Sequence, residues 1–158
     1  MTILLSVILL LIAAVVVLFV ILGVQSRTGT APGLVEGRLA RCPATPNCVC
    51  SEYKNDISHY IEPVSFADNN PMSIIKSVIK TAGGTIQSET DNYLAATFSS
   101  AVFGFVDDVE VRLDAKQRII QLRSAARVGR GDMGVNRKRV QKLKQMLNEK
   151  LNKNTNAQ

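Results

Sequence analysis

Read by hydropathy alone, the chain divides where its period changes. Residues 3–24 are almost wholly Leu, Ile, Val, Ala and Phe, and no charged side chain occurs before Arg27. As a helix, that run would be about 33 Å long, enough to cross a hydrocarbon core of about 30 Å. A cleaved secretory leader needs a basic start, a shorter apolar core and a small-residue cleavage site, and the sequence has none of these. No cysteine follows the run to accept a lipid. The pattern therefore predicts an uncleaved transmembrane anchor over residues 1–26. Residues 27–57 lose all periodicity and scatter Gly and Pro, which reads as a tether followed by an irregular cysteine-bearing loop.

Residues 59–66 make a short strand interrupted by Pro63. Asn70-Pro71 then opens a helix, with Asn as the cap and Pro at the first helical position. Ile74, Ile75, Val78, Ile79 and Ala82 recur at helical spacing, with Lys76 and Lys80 opposite, and Gly83-Gly84 ends the run. From there the period is two. Residues 85–88 and 93–99 form a hairpin around 89–92. In residues 106–113, Val109, Val111 and Leu113 share one face, and Asp108, Glu110 and Arg112 the other. Residues 118–126 follow a turn at 114–117. A turn centred there sets Val111 opposite Ile120, Val109 opposite Leu122 and Asp108 opposite Arg123, so apolar meets apolar and acid meets base. A last helix over 135–151 carries Val140, Leu143, Leu147 and Leu151 as a stripe, with Met146 beside it, before a polar tail at 152–158. This order predicts an α+β domain over 58–151. It would hold a single antiparallel sheet of about four to five strands, with helices packed on one face.

Charge sharpens the picture. The chain holds 19 Lys and Arg against 13 Asp and Glu. Residues 1–134 balance, so the whole excess falls in the last helix and tail. Its basic face (Arg137, Lys138, Lys142, Lys144, Lys150) reads first as plain solvated surface and otherwise suits anionic lipid headgroups, which a domain tethered through residues 3–24 can reach. The tether and the scarcity of aromatic residues argue against nucleic acid. Arg27, Arg38 and Arg41 follow the span and nothing basic precedes it. That weakly favours a cytoplasmic domain, but large domains translocate largely regardless of charge.

The densest chemistry lies in residues 119–139, a strand, a glycine-rich turn and a helix. Gly129, Gly131 and Gly134 have the G-x-G-x-x-G spacing. A dinucleotide site needs a parallel strand after the helix, and here the helix is the last element. The glycines instead permit a sharp turn, with Asp132 as cap. Arg123, Arg127, Arg130, Asn136, Arg137 and Arg139 crowd this turn and are expected to bind an anion, either a carboxylate, a phosphate or a lipid headgroup. Cys42 and Cys48 suit a disulfide in an oxidising compartment. A zinc site adding Cys50 and His59 would have no recognised spacing. No metal and no cofactor is expected. Asp107 and Asp108 are adjacent on a strand and point to opposite faces, and Asp108 is expected to be structural. An enzyme would have to use His59, Asp108 and Arg123, but no Ser or Cys stands in a nucleophile motif.

Two segments carry a resemblance. One is Cys42-Pro43 with Pro46-Asn47-Cys48-Val49 and His59-x-Ile61-x-Pro63. The other is Asp107-Asp108-Val109-Glu110 with Arg123-Ser124-Ala125-Ala126-Arg127-x-Gly129 and Asp132-x-Gly134-Val135-Asn136-Arg137-x-Arg139. Over residues 40–145 the chain resembles the bacterial and plastid family called domain of unknown function 1499. It departs at Cys50, where that pattern has Ser. The resemblance implies no particular reaction. It does imply export or anchoring, and so a soluble domain on the outer, periplasmic side of the cytoplasmic membrane. The expectation is a membrane-anchored envelope protein whose domain binds an anionic small molecule, a lipid headgroup or a partner without catalysis. The alternatives are a hydrolase-like enzyme using His59, Asp108 and Arg123, or a structural partner in a membrane complex.

Overall fold

The computed structural model describes residues 1–67 and 70–155. The apolar run is one unbroken helix, α1 (Thr2–Ser26), long and apolar enough to cross a membrane and almost uncovered by protein. Its end rests against the start of β7. The strands are β1 (Leu34–Val35), β2 (Arg38–Leu39), β3 (Cys48–Cys50), β4 (Val64–Ser65), β5 (Thr85–Glu89), β6 (Tyr93–Ser99), β7 (Val106–Asp114) and β8 (Ile119–Ala126). Two further helices are α2 (Pro71–Thr81) and α3 (Val135–Thr155).

The main sheet is antiparallel, in the order β3-β8-β7-β6-β5, with β4 also paired to β8. It has six strands, not the four to five expected. The additions are short. Cys48–Cys50 is buried at all three positions, so it shows no alternation that would mark a strand. The expected strand over 59–66 shrinks to Val64–Ser65, with an isolated bridge from Tyr60 to Cys50.

The β7–β8 register also differs from the expectation. Val111 pairs with Leu122, Val109 with Ser124, Asp108 with Ala125 and Glu110 with Arg123. The turn sits one residue later than expected. Arg118 takes a left-handed φ of 52°, and Asp114 Oδ1 accepts the Gln117 amide at 3.0 Å. Each pairing therefore slides by two residues. A slide of two keeps every side chain on its face and changes only its partner.

One face of the sheet packs against both domain helices. Leu94, Val109, Val111, Ile120 and Leu122 meet Ile75, Val78 and Ile79 of α2 and Val140, Leu143 and Leu147 of α3. Asn70 caps α2 through the Ser73 amide, and Pro71 begins it. Asp132 caps α3, its carboxylate accepting the amides of Gly134 (3.0 Å) and Asn136 (2.7 Å). α3 runs on to Thr155, past the expected end at 151; residues 156–158 of the expected tail lie outside the described residues.

The second face is covered as well. The stretch read as tether and loop lies across it as a strap. β1 and β2 form a hairpin whose two turn residues, Glu36 and Gly37, have φ of 52° and 76°. The pair of positive values is what a two-residue hairpin turn requires. Leu39, fully buried, packs with Cys50, Tyr93 and Ala95.

Candidate functional site

The second face of the sheet is charged and mostly dry. Alternation along β7 and β8 aims Asp108, Glu110, Arg112, Gln121 and Arg123 at the strap. Three tiers of ion pairs result. At the end nearest α1, Arg127 grips Asp108 with two parallel bonds, Nε–Oδ2 2.9 Å and Nη2–Oδ1 2.7 Å. In the middle, the wholly buried Glu110 accepts Arg123 Nη1 (2.7 Å), the Tyr93 hydroxyl (2.8 Å) and the Gly33 amide (3.0 Å). Burial, helped by Glu110, raises the pKa of the Tyr93 phenol.

At the far end, Glu52 accepts Arg112 Nε (2.6 Å), Arg38 Nε (3.0 Å) and the Leu39 amide (3.3 Å). Burial pushes the Glu52 carboxyl up, but the hydrogen bonds from Arg112, Arg38 and Leu39 outweigh it and leave it below the ordinary carboxylate value.

The residues expected to crowd the glycine turn are thereby distributed. Arg123 and Arg127 belong to the second face, each already paired. Arg139 lies on the helix side, holding Asp107 (2.8 Å) and the Asn136 side-chain oxygen (2.7 Å). Burial raises the Asp107 carboxyl pKa against the pull of Arg139. Asn136 is buried and ties Asp132 and the Asn47 carbonyl together. Arg137 donates to the carbonyls of Tyr60 (2.9 Å) and Ser58 (2.8 Å). Arg130 alone of the six points into solvent with no ion-pair or hydrogen-bond partner among the described residues. The partner of Asp108 is Arg127, not the expected Arg123, and Arg123 goes to Glu110.

Nor do His59, Asp108 and Arg123 meet. His59 Nδ1 faces Asp56 (2.8 Å) and Ser58 Oγ (3.0 Å), while Nε2 faces the Thr45 carbonyl (3.1 Å). Serine and carboxylate thus contact the same ring nitrogen and the other nitrogen is spent on backbone. Cys42 and Cys48 form a disulfide and Cys50 is free and buried, so the four groups of the alternative zinc set are not available together.

Open space lies at the two ends of the charged face. The larger groove, about 840 Å³, is at the end away from α1, where β7 turns into β8. Arg38, Arg41, Lys54 and Arg112 line it, against Glu52 and Asp114. Arg41 stacks over the Tyr53 ring at 4.0 Å, and Arg38 lies 4.9 Å from the same ring. Among the described residues neither Arg41 nor Lys54 meets a carboxylate within ion-pair distance. Arg41, Glu52, Tyr53 and Lys54 were not singled out from sequence. The usable signal was Glu36-Gly37 between two apolar-containing dipeptides, a hairpin mark that places the strap. A second cleft, about 510 Å³, lies beside α1 and is lined by Arg27, Tyr93, Thr97, Asp108 and Arg127.

One apolar helix, a six-stranded antiparallel sheet with two helices on one side and a strap over an ion-paired face on the other define a class: an α+β domain carried on a single helix that could span a membrane. By sequence the chain belongs to the family described as Protein of unknown function (DUF1499), whose model matches residues 38–147. No curated protein matches it. The match begins at Arg38, so the strap's second strand and the disulfide loop fall inside the family unit.

Proposed function

We propose that this is a non-catalytic binding domain, held to a membrane by α1, that takes a small polar anion in the groove away from the membrane. The observation that carries the reading is the groove's charge. Four cations face two carboxylates there, and two of the cations, Arg41 and Lys54, are left without acidic partners. A ligand carboxylate or phosphate would complete those pairs, and Arg41, already stacked on Tyr53, is held ready for planar, two-point contact. All but Arg130 of the residues expected from sequence to form an anion site are engaged in internal bonds, so this groove takes over that role. We place the domain in an oxidising compartment outside the cytoplasm. The Cys42–Cys48 disulfide supports this, since such bridges persist where thiols are not kept reduced.

The test is ligand-induced stabilisation of the full chain in detergent, using inorganic phosphate, citrate and glucose 6-phosphate, with glucose as the neutral control. A ligand present at 100 times its Kd stabilises by about 2.7 kcal/mol. At least one anion should do so, glucose should not, and Arg41→Ala with Lys54→Ala should abolish the effect. Stabilisation that survives the double substitution, or none with any anion, overturns the reading.

A further inference from the structure

The end of α1 is not a flexible hinge. The Ser26 hydroxyl donates to the Gly23 carbonyl (2.6 Å) and accepts the Val106 amide (2.9 Å), and the Ser26 carbonyl accepts Arg127 Nη1 (3.1 Å). Gly23 is needed for this approach, because a Cβ there would lie 2.2 Å from the Phe103 carbonyl oxygen. The helix therefore fixes the pose of the sheet, and with it the β6–β7 loop.

That loop, residues 100–105, contains no charge and reads Ser-Ala-Val-Phe-Gly-Phe. Its two phenylalanines clasp Phe19 of α1, with Phe19–Phe103 centroids 5.2 Å apart and Phe19–Phe105 6.1 Å apart. Phe19 is five residues inside the last apolar residue of α1, Val24, which is about 7–8 Å along the axis. If the apolar run fills the hydrocarbon core, Phe19 lies below its surface, and the loop that touches Phe19 must enter the bilayer too. At the loop's tip, Val102 is 82% exposed, an unpaired apolar side chain at the end of the domain that faces the membrane. Arg27 lies directly against the loop. A Cβ on Gly104 would be 2.5 Å from its Nη2, so the cation sits at the level where headgroup phosphates would be.

We propose that the β6–β7 loop is a second membrane contact. Ala101, Val102, Phe103 and Phe105 are embedded at the boundary between headgroups and acyl chains, and Arg27 engages lipid phosphate above them. The occupant of this surface is lipid. The sheet then stands upright on the bilayer, with the β7–β8 turn farthest from it. This contact is independent of the anion groove at the opposite end.

The sequence contains no tryptophan, so a single introduced indole reports without background. The full chain carrying Val102→Trp is reconstituted into phosphatidylcholine–phosphatidylglycerol vesicles containing lipids brominated near the top of the acyl chain. Lys116→Trp, in the exposed β7–β8 turn, is the reference, and Ala101→Trp is a second probe of the loop should the first disturb it. Emission from the loop probes should be blue-shifted and quenched at least two-fold by the brominated lipid, while Lys116→Trp emits as in water and is unquenched. Loop probes with water-like, unquenched emission overturn the proposal. Quenching of the reference to the same extent also overturns it, because the domain would then lie flat on the bilayer.

Discussion

Glu52→Gln probes the ion-paired face at the point where it becomes a groove. The carboxylate is 1% exposed and bonded to two guanidiniums and an amide. Glutamine keeps the shape and one acceptor oxygen, but turns an NH2 group towards a cation. Arg38, with 51% of its side chain exposed, recovers water, so that pair counts for about 0–1 kcal/mol. Arg112 Nε and the Leu39 amide share Oε1, so glutamine keeps an acceptor for both by turning its NH2 towards Arg38. Arg112, at 11%, cannot recover water, although Asp114 at 3.4 Å remains as a second acceptor, so the charge assistance it loses costs about 1–1.5 kcal/mol. Together these give a loss of about 1–2.5 kcal/mol near pH 7.5.

The pH dependence has a definite sign. The folded-state pKa of Glu52 lies below that of the unfolded chain, which is about 4.3. Its contribution is therefore complete above that value and is lost as pH falls through the folded-state pKa. A protonated glutamic acid and a glutamine are nearly isosteric, so the difference between native protein and variant must close in acid. The assay is urea unfolding of the full chain in dodecyl maltoside, followed by circular dichroism from pH 7.5 to pH 3, with hydrogen exchange at the Leu39 amide as the local readout. A difference under about 1 kcal/mol at pH 7.5, or one that persists unchanged at pH 3, would refute the account of Glu52 as an anchor of the strap.

Two other expectations follow from single contacts. The Cys50 thiol is pushed up to about 11 by burial, so with Cys42 and Cys48 bridged, maleimide should label one thiol only after denaturation and three only after reduction; three thiols trapped directly from cells without reductant would place the domain in a reducing compartment. Asp132→Ala removes the cap of α3 and one partner of Asn136, and should cost about 1–2 kcal/mol in the same urea assay, with Asp132→Asn recovering part of it; no loss would mean the helix start is held by its packing alone.

Much of the architecture was legible. The α2 cap and α3's start were marked by Asn70-Pro71 and Asp132, and β6 by its alternation, because each signal is local. What was lost depended on contacts distant in sequence. Cys48–Cys50 is a strand only because β8 lies beside it, and the strap has no period because a two-residue strand cannot show one. The β7–β8 pairing missed by two residues because the sequence marks which side chains share a face and leaves their partners to the turn. The six residues expected to form one site were read by proximity along the chain. A strand followed by a helix sends neighbouring side chains to both sides of a sheet.

The residues that carry the family resemblance explain why the glycine turn has so few cations to offer. Asp107 holds Arg139, Asp108 holds Arg127, Glu110 holds Arg123, and Asp132 holds Asn136. Three of the motif's acids are thus each neutralised by one arginine, and the fourth, Asp132, caps α3 and accepts from the neutral Asn136 amide. The physical origin of this pairing is the covering of both sheet faces. A charge left unpaired in either dry layer costs several kcal/mol, so every buried arginine in the motif must have its carboxylate. Pairing removes them as ligand groups and makes them struts. Among the described residues, the free cations that border the covered face are then those at its margins, Arg41 and Lys54 at one end and Arg27 at the other, with Arg130 left exposed at the turn itself.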